Sequence, residues 1–158
     1  MSNNTLEIVK CDLASISLDR VVKYSSMLDD IPRAANTLNA PLYLRDMVMA
    51  MDVTSELMAD AIRAHGKAEA AYKEAEAIAF LDHAGQFLID HKIKDSAEAR
   101  KRYVPLDDDV KAAAEMRAKT EALVTLLKNK WLSFRMAHDD VKKMAYASDY
   151  LNSSPSEL

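Results

Sequence analysis

Histidines beside aspartates are the first residues in this sequence that could carry chemistry. His83 and His91 each follow an aspartate and stand eight residues apart. On an unbroken helix this spacing turns the second side chain about 80° away from the first, so the pair would not converge on one ion. A helical zinc site favours histidines four residues apart, and the sequence has no such pair. We expect no bound metal, and a metal-dependent helical enzyme using His83, His91 and nearby aspartates remains a minor alternative.

The other candidate catalytic groups also lack the partners that catalysis requires. His138 precedes Asp139, but adjacent side chains on a helix point about 100° apart. Cys11 has no basic neighbour beyond the adjacent lysine, so nothing activates its thiol. Gly66 and Gly85 are too far apart to form a phosphate-binding glycine loop. We therefore predict that the chain is not an enzyme and uses no cofactor.

A basic stretch is the most informative candidate for binding. Residues 92–103 carry five cations against two acids, a net charge of +3, and include Tyr103. Cations neutralise phosphates, and a tyrosine ring can stack on an unpaired base, so the stretch could bind single-stranded nucleic acid. The alternative is a solvated basic turn in which Tyr103 packs against the start of the following helix. The cations are Lys92, Lys94, Arg100, Lys101 and Arg102.

Composition favours helices as the elements that position these residues. Only 2 of the 158 residues are Gly and 4 are Pro, too few for the turns of a sheet-rich fold. The single cysteine suits a reducing compartment, no apolar run approaches a membrane span, and the N-terminus lacks a signal peptide pattern. We therefore expect an all-α, soluble, cytoplasmic protein without a membrane partner. A net charge of −4 argues against strong nucleic-acid binding by a monomer.

Two heptad seams predict two long helices. Apolar residues alternate steps of three and four from Leu44 to Ala79, and again from Met116 to Met144, where Asp107 would cap the helix start. The first seam reads Leu44, Met47, Met51, Thr54, Met58, Ala61, His65, Ala68, Tyr72, Ala75 and Ala79. The second reads Met116, Thr120, Leu123, Leu127, Lys130, Phe134, Ala137, Val141 and Met144. Because either seam alone would expose apolar surface, we predict an antiparallel hairpin, with His65 hydrogen-bonded in its core.

The remaining segments divide the chain into three regions. Residues 1–40 form a short N-terminal helical segment, 41–150 the long hairpin with a basic connection at 82–106, and 151–158 a disordered tail. Within the first region, Ser17 should cap a helix that ends before Pro32, and residues 33–40 should form a second short piece. Within the connection, Gly85 should interrupt the chain and Ser96 should cap a short helix.

Nine methionines suggest either core packing or a surface that binds partners. Two helices about 60 Å long, paired only with each other, would leave apolar flanks uncovered. We therefore predict a homo-oligomer. The candidate interface residues are Met47, Met49, Met51, Met58, Ile62, Trp131 and Phe134.

The order of these features resembles a known family. A long helix containing Lys67-Ala68-Glu69-Ala70-Ala71-Tyr72-Lys73 leads into Ser96 and Arg100-Lys101-Arg102-Tyr103-Val104. A final helix enters through Asp107-Asp108-Asp109-Val110 and continues through Trp131 and Phe134 to Val141-Lys142-Lys143-Met144. This pattern, over about residues 45–147, is similar to the UvsY-type recombination mediators of bacteriophages.

The resemblance implies a non-enzymatic mediator of DNA recombination. Such a protein assembles as a ring-like homo-oligomer, binds single-stranded DNA, helps displace the single-strand-binding protein and loads a recombinase. If phage-encoded, it would work in the host cytoplasm. The DNA contacts implied are Lys67, Lys73, Lys92, Lys94, Arg100, Lys101 and Arg102. The pI of the sequence is near 5.6, whereas a DNA-binding relative should have a more basic pI. The alternative is a helical structural or regulatory module that binds proteins only.

Overall fold

In a computed structural model, which describes residues 2–36 and 38–152, the chain is all-α. Within those ranges there is no strand. A π-helical turn, Ala79–His83, joins α3 to α4, and a 3-10 turn, Val104–Leu106, precedes α6. The helices are α1 (Ser2–Ser15), α2 (Asp19–Ala34), α3 (Ala40–Ile78), α4 (Ala84–Asp90), α5 (Ala97–Tyr103) and α6 (Asp108–Asn152).

The N-terminal helices differ from the sequence prediction at the prolines. Helix α2 continues through Pro32 to Ala34, so the prediction that it ends earlier is wrong. Proline lacks the N–H that would bond the carbonyl four residues earlier, so it removes one hydrogen bond from the last turn, and the helix ends two residues later. The predicted short piece at residues 33–40 is also wrong, because Ala35 leaves the helix in an extended conformation.

Two asparagines make the turn that starts α3. The Oδ1 atom of Asn36 accepts from the backbone N–H groups of Leu38 and Asn39 at 3.0 and 3.1 Å. In return, Oδ1 of Asn39 accepts from the backbone N–H of Asn36 at 2.7 Å. Pro41 follows in the first turn of α3, where a backbone N–H would have no helical partner. Side-chain competition for backbone groups explains why this segment is a turn and not a helix.

The basic connection begins with helix, contrary to the predicted interruption at Gly85. The backbone passes from α3 through the π turn directly into α4, and Gly85 lies inside α4. A glycine in a helix costs about 1 kcal/mol relative to alanine, a cost that tertiary contacts can exceed. Ser96 caps α5 as predicted, its Oγ accepting from the backbone N–H of Ala99 at 3.2 Å.

The chain divides into two compact units, which we describe separately. The first comprises Met1–Ile16 and Asp60–Val124. Its core joins apolar residues of α1, α3 and α6, and α3 contributes mainly alanines. Small side chains let helices approach closely, so an alanine seam produces a thin, tightly packed core. The buried members are Leu6, Val9, Ala68, Ala71, Ala75, Ala79, Val110, Ala113 and Met116.

Polar seam residues of the first unit are also satisfied. The hydroxyl of Thr120 donates to the carbonyl of Arg117 at 2.8 Å, so its oxygen can accept from Nδ1–H of His65 at 3.0 Å. The predicted hydrogen-bonded core role of His65 is confirmed. Arg117 also covers the ring of Tyr72, 4.3 Å from the ring centre.

The second unit comprises Ser17–Ala59 and Thr125–Leu158. Some of its buried residues, such as Met47, Leu127 and Val141, lie on the predicted seams, whereas Ala50 and Val53 lie off them. Thr54 is accommodated because its hydroxyl donates to the carbonyl of Ala50 at 2.7 Å. Met47 and Phe134 are completely buried. Their predicted place on an oligomer interface is therefore wrong, because neither presents surface to another subunit.

The C-terminal end is described only to Asn152, where α6 ends. Residues 151 and 152 belong to this helix, and the rest of the predicted disordered tail lies outside the described residues. Within the described ranges, none of the helices has an apolar stretch that could cross a bilayer.

Candidate nucleic-acid interface

Arg100 of α5 joins two parts of the basic connection, the π turn before α4 and the turn before α5. Its Nε and Nη2 atoms donate to both carboxylate oxygens of Asp95, at 2.8 and 2.7 Å. Its Nη1 donates to the backbone carbonyls of Phe80 and Leu81, at 3.1 and 3.0 Å. A π turn departs from the regular helical hydrogen-bond pattern, and these two carbonyls lie in it. Four of the five N–H donors of the guanidinium are thus used within the chain.

The Arg100 guanidinium is thus held within the chain, and its predicted phosphate contact stays a prediction. The hydrogen bond from Arg100 holds the pKa of Asp95 below its ordinary value, and the hydrogen bond from Asp95 raises the pKa of Arg100. The guanidinium lies against Gly85, where a Cβ would make an ordinary contact 3.4 Å from Nη2. We call the set of Asp95, Arg100 and the carbonyls of Phe80 and Leu81 the arginine clamp.

Tyr103 is also engaged inside the chain. Its ring lies 4.7 Å from that of Phe87, whose centre is 4.0 Å from the ring of His91. Its hydroxyl donates to Oδ2 of Asp107 at 3.1 Å. Burial, together with this hydrogen bond, raises the pKa of Tyr103. Tyr103 thus joins α5 to the start of α6, and its predicted stacking on a base stays a prediction.

Asp107 is the predicted cap of α6, and the structure confirms it. Its Oδ1 accepts from the backbone N–H groups of Asp109 and Val110, at 3.0 and 3.3 Å. Its Oδ2 lies 2.7 Å from Nδ1 of His83 and also accepts from Tyr103. Burial alone would raise the pKa of Asp107, but the hydrogen bonds from His83, Val110 and Tyr103 keep it lowered.

This network is the functional pairing that sequence reasoning missed. His83 was noted for its relation to His91, but its partner is Asp107, 24 residues away. His91 instead places Nδ1 2.9 Å from the carbonyl of Phe87. The only local signal was the capping role of Asp107.

His83, Asp107 and Asp109 have ligand atoms within 4.8 Å of one another, a spacing compatible with a metal ion. Oδ1 and Oδ2 of Asp107 already accept hydrogen bonds, and the positive N-terminal end of α6 disfavours a cation. The cluster is fully explained as a helix cap. His91 lies outside it, so the predicted His83–His91 combination is not assembled here.

The other cations of the basic connection are exposed. Ion pairs of the described residues in this segment involve Arg100 with Asp95 and Arg102 with Glu98, the second at 3.4 Å between exposed side chains. Exposed pairs contribute little, so Arg102 can exchange its partner at small cost. Lys92, Lys94 and Lys101 are exposed as well. These four residues, Lys92, Lys94, Lys101 and Arg102, form what we call the cationic array.

Lys92 occupies an unusual backbone position. Its φ is 56°, the left-handed region, and it is the only non-glycine residue with positive φ in the described ranges. The N–H of Ile93 donates to the carbonyl of Leu88, and the N–H of Lys92 to that of Ile89. This is the Schellman arrangement that ends α4, and its left-handed position usually holds glycine. A lysine there costs about 1 kcal/mol of backbone strain.

The two lysines predicted on α3 lie outside this array. Lys67 pairs with Asp12 at 2.6 Å, and Lys73 faces Glu69 at 3.6 Å. Their contribution to DNA binding stays a prediction, and each would first have to release a carboxylate.

The predicted oligomer-interface residues fall into different environments. Met49 and Ile62 are exposed, whereas Met51, Met58 and Trp131 are half-buried. The first two therefore present apolar surface on α3, while the other three are partly covered by their own chain.

Comparison of the chain with protein-family models, curated proteins and solved structures gives no match.

Proposed function

We propose that the chain is a non-enzymatic protein that binds single-stranded DNA through the cationic array. The observation that carries this proposal is the lysine at position 92. A left-handed helix end would be least costly with glycine, and the chain places a cation there, in the same segment as the exposed Lys94 and Lys101. Strained residues concentrate at functional sites, where the function compensates for the cost.

The arginine clamp supports the proposal by fixing the segment that carries the array. Arg100 ties α5 to the π turn, so the exposed cations on either side of Ser96 need not be ordered when a polyanion binds. Pre-ordering reduces the entropy lost on binding and strengthens weak phosphate contacts. Because the described aromatic rings of this segment are engaged with one another, the contact we propose is with phosphates rather than bases.

We further propose, from the resemblance to UvsY-type proteins, that the chain mediates recombination by loading a recombinase and helping displace single-strand-binding protein. The long helices would pair as an antiparallel hairpin, and the chain would form a homo-oligomeric ring in the host cytoplasm. In the first unit His83, just after α3, contacts Asp107, the cap of α6, and His65 of α3 contacts Thr120 of α6. The residue numbers fall along one segment as they rise along the other, which supports the antiparallel pairing. Exposed Met49 and Ile62 are the candidates for subunit contacts, and light scattering measures the assembly.

The test is salt-dependent binding of labelled single-stranded DNA. Replacing Lys92, Lys94 and Lys101 by alanine should weaken binding of every sequence alike. The slope of log affinity against log salt should shrink by about 0.7 for each lost phosphate contact per engaged subunit. The matched control replaces Lys23, Lys111 and Lys119, which are exposed and lie outside the basic connection. Equal effects of the two triple variants would show that only net charge matters and would refute the array as the site.

A second candidate function is protein binding without DNA, and one observation favours it. Met136 is exposed and Met144 partly so, beside a cavity of about 560 Å³ formed by α2 and α6 in the second unit. Flexible methionine side chains adapt to many apolar partners. Under this alternative, the parent chain would not bind DNA even at low salt.

A further inference from the structure

An apolar groove lies directly beside the cationic array. It has a volume of about 460 Å³ and is formed by the end of α4, the turn after it, α5 and the residues just before α6. Ile93 and Leu106 line it and remain 48% and 59% exposed, so part of its apolar surface faces solvent. The rest of its apolar lining comes from Phe87, Leu88, Ala99 and Tyr103.

The charges at the groove are mostly positive. Lys94 and Arg102 line it, together with the single acid Glu98. Glu98 is paired with Arg102 at 3.4 Å, an exposed and weak interaction that an incoming carboxylate can replace. Lys92 precedes Ile93 in the sequence, and Lys101 precedes Arg102. Both lysines therefore extend the positive charge of the segment. A ligand that fits this groove therefore combines apolar groups with negative charge.

Aromatic geometry distinguishes a peptide from a nucleobase as the occupant. A base gains most of its binding energy by stacking on a free ring face. Here the ring of Phe87 contacts those of His91 and Tyr103, at centroid distances of 4.0 and 4.7 Å, so these rings are engaged with one another. The most exposed apolar side chains of the groove are aliphatic, those of Ile93 and Leu106. Aliphatic surface favours apolar side chains over a flat base.

We propose that this groove binds a peptide segment of a partner protein that carries both acidic and large apolar side chains. The apolar side chains pack on Ile93 and Leu106, and the carboxylates pair with Lys94 and Arg102. This use of the groove does not rest on the proposed DNA binding, although Lys94 and Arg102 belong to both surfaces. The binding mode needs no change in the arginine clamp.

The experiment uses the full chain and a fluorescent twelve-residue peptide that alternates Asp or Glu with Leu or Phe. Two further peptides separate the contributions: one with serine in place of the apolar residues, and one with glutamine and asparagine in place of the acids. We expect the first peptide to bind at least about tenfold more tightly than either of the others, since each lacks one of the two required chemistries.

Groove variants then locate the site. Ile93→Ser should weaken binding of the acidic-apolar peptide by about fivefold or more, and Glu98→Gln should strengthen it. The control is Ile89→Ser, which removes an equally apolar and more exposed side chain from α4 outside the groove lining. Ile89→Ser should leave peptide affinity unchanged. Circular dichroism establishes that both serine variants remain folded.

Two results would overturn the groove proposal. One is equal binding of the acidic-apolar and acidic-serine peptides, which would mean attraction by charge alone. The other is equal loss of affinity in Ile93→Ser and Ile89→Ser. Labelled single-stranded DNA, measured in parallel, keeps the proposals separate: Ile93→Ser should bind DNA as the parent does, whereas the triple lysine variant should not.

Discussion

At the scale of single residues, Asp107 organises the junction between α5 and α6. One carboxylate oxygen caps the helix, and the other faces the ring of His83 and the hydroxyl of Tyr103. A buried acceptor facing several donors is costly to remove, since each donor loses its partner. The side chain is 5% exposed, so water cannot readily replace these bonds.

Asp107→Ala should therefore lower the free energy of unfolding by about 2–3 kcal/mol, the helix cap alone accounting for about 1 kcal/mol. Asp107→Asn keeps an oxygen for the cap and should cost less. Urea unfolding of the three proteins measures the difference. Equal stability of Asp107→Ala and the parent would show that the network contributes nothing.

Acid should destabilise the junction through the same residue. The pKa of Asp107 is lowered in the folded chain, so its ionised form is favoured by folding. The stability that it contributes is present above its ordinary pKa of about 3.9 and is lost as pH falls through the lower folded value. The parent should lose more stability than Asp107→Asn as pH falls below about 4.

At the scale of elements, two arginines two positions apart have different roles: Arg100 belongs to the arginine clamp and Arg102 to the cationic array. Arg100→Ala removes bonds to Asp95 and to two carbonyls of the π turn, so the α4–α5 connection should loosen. Arg102→Ala removes only an exposed pair with Glu98. The two variants have the same change in charge and neighbouring positions.

We expect Arg100→Ala to lower the melting temperature by several degrees, with stability reduced by about 2 kcal/mol. Arg102→Ala should melt as the parent does, but bind single-stranded DNA more weakly, with a smaller salt slope. Thermal unfolding and DNA titration on both variants test this division. The reverse pattern, a stable Arg100→Ala and an unstable Arg102→Ala, would contradict the clamp.

Helices were predictable from the sequence where local and periodic signals agree. The seam from Leu44 to Ala79 and the caps at Ser96 and Asp107 all depend on spacing or on contacts within three residues, and α3, α5 and α6 follow them. Gly85 misled the prediction because its local cost is outweighed by α3 continuing through the π turn and by the Arg100 contacts. Sequence spacing contains no record of such long-range partners.

The candidate site was predictable only in part, for the same reason. The net charge of residues 92–103 identified the segment, but not which cations point to solvent. Arg100 binds Asp95, and Tyr103 contacts Phe87 and Asp107. These contacts can be predicted only when the reversal of the chain between α4 and α5 is known. The left-handed backbone at Lys92 likewise follows from how α4 ends, and no residue type in this segment indicates that conformation.

At the scale of the whole molecule, charge distribution limits how DNA can be bound. The chain carries a net charge of −4, so long-range attraction to a polyanion is absent and binding must depend on a local array. A homo-oligomer would repeat the array and gain affinity by avidity, with no new contact in any subunit. This requirement links the proposed assembly to the proposed activity: a monomer should bind weakly, and a ring tightly.

The central claim is that the strained Lys92 serves DNA binding. Its most direct test is to measure both stability and DNA binding in the variant Lys92→Gly. Glycine relieves the left-handed backbone at this position, so the variant should be more stable by about 1 kcal/mol and melt about 2–4 °C higher. It should also bind single-stranded DNA more weakly, with a salt slope smaller by about 0.7 per engaged subunit. A variant that is more stable and binds DNA with the parent's affinity and slope would contradict the account, because the lysine would then have no function that compensates for its strain.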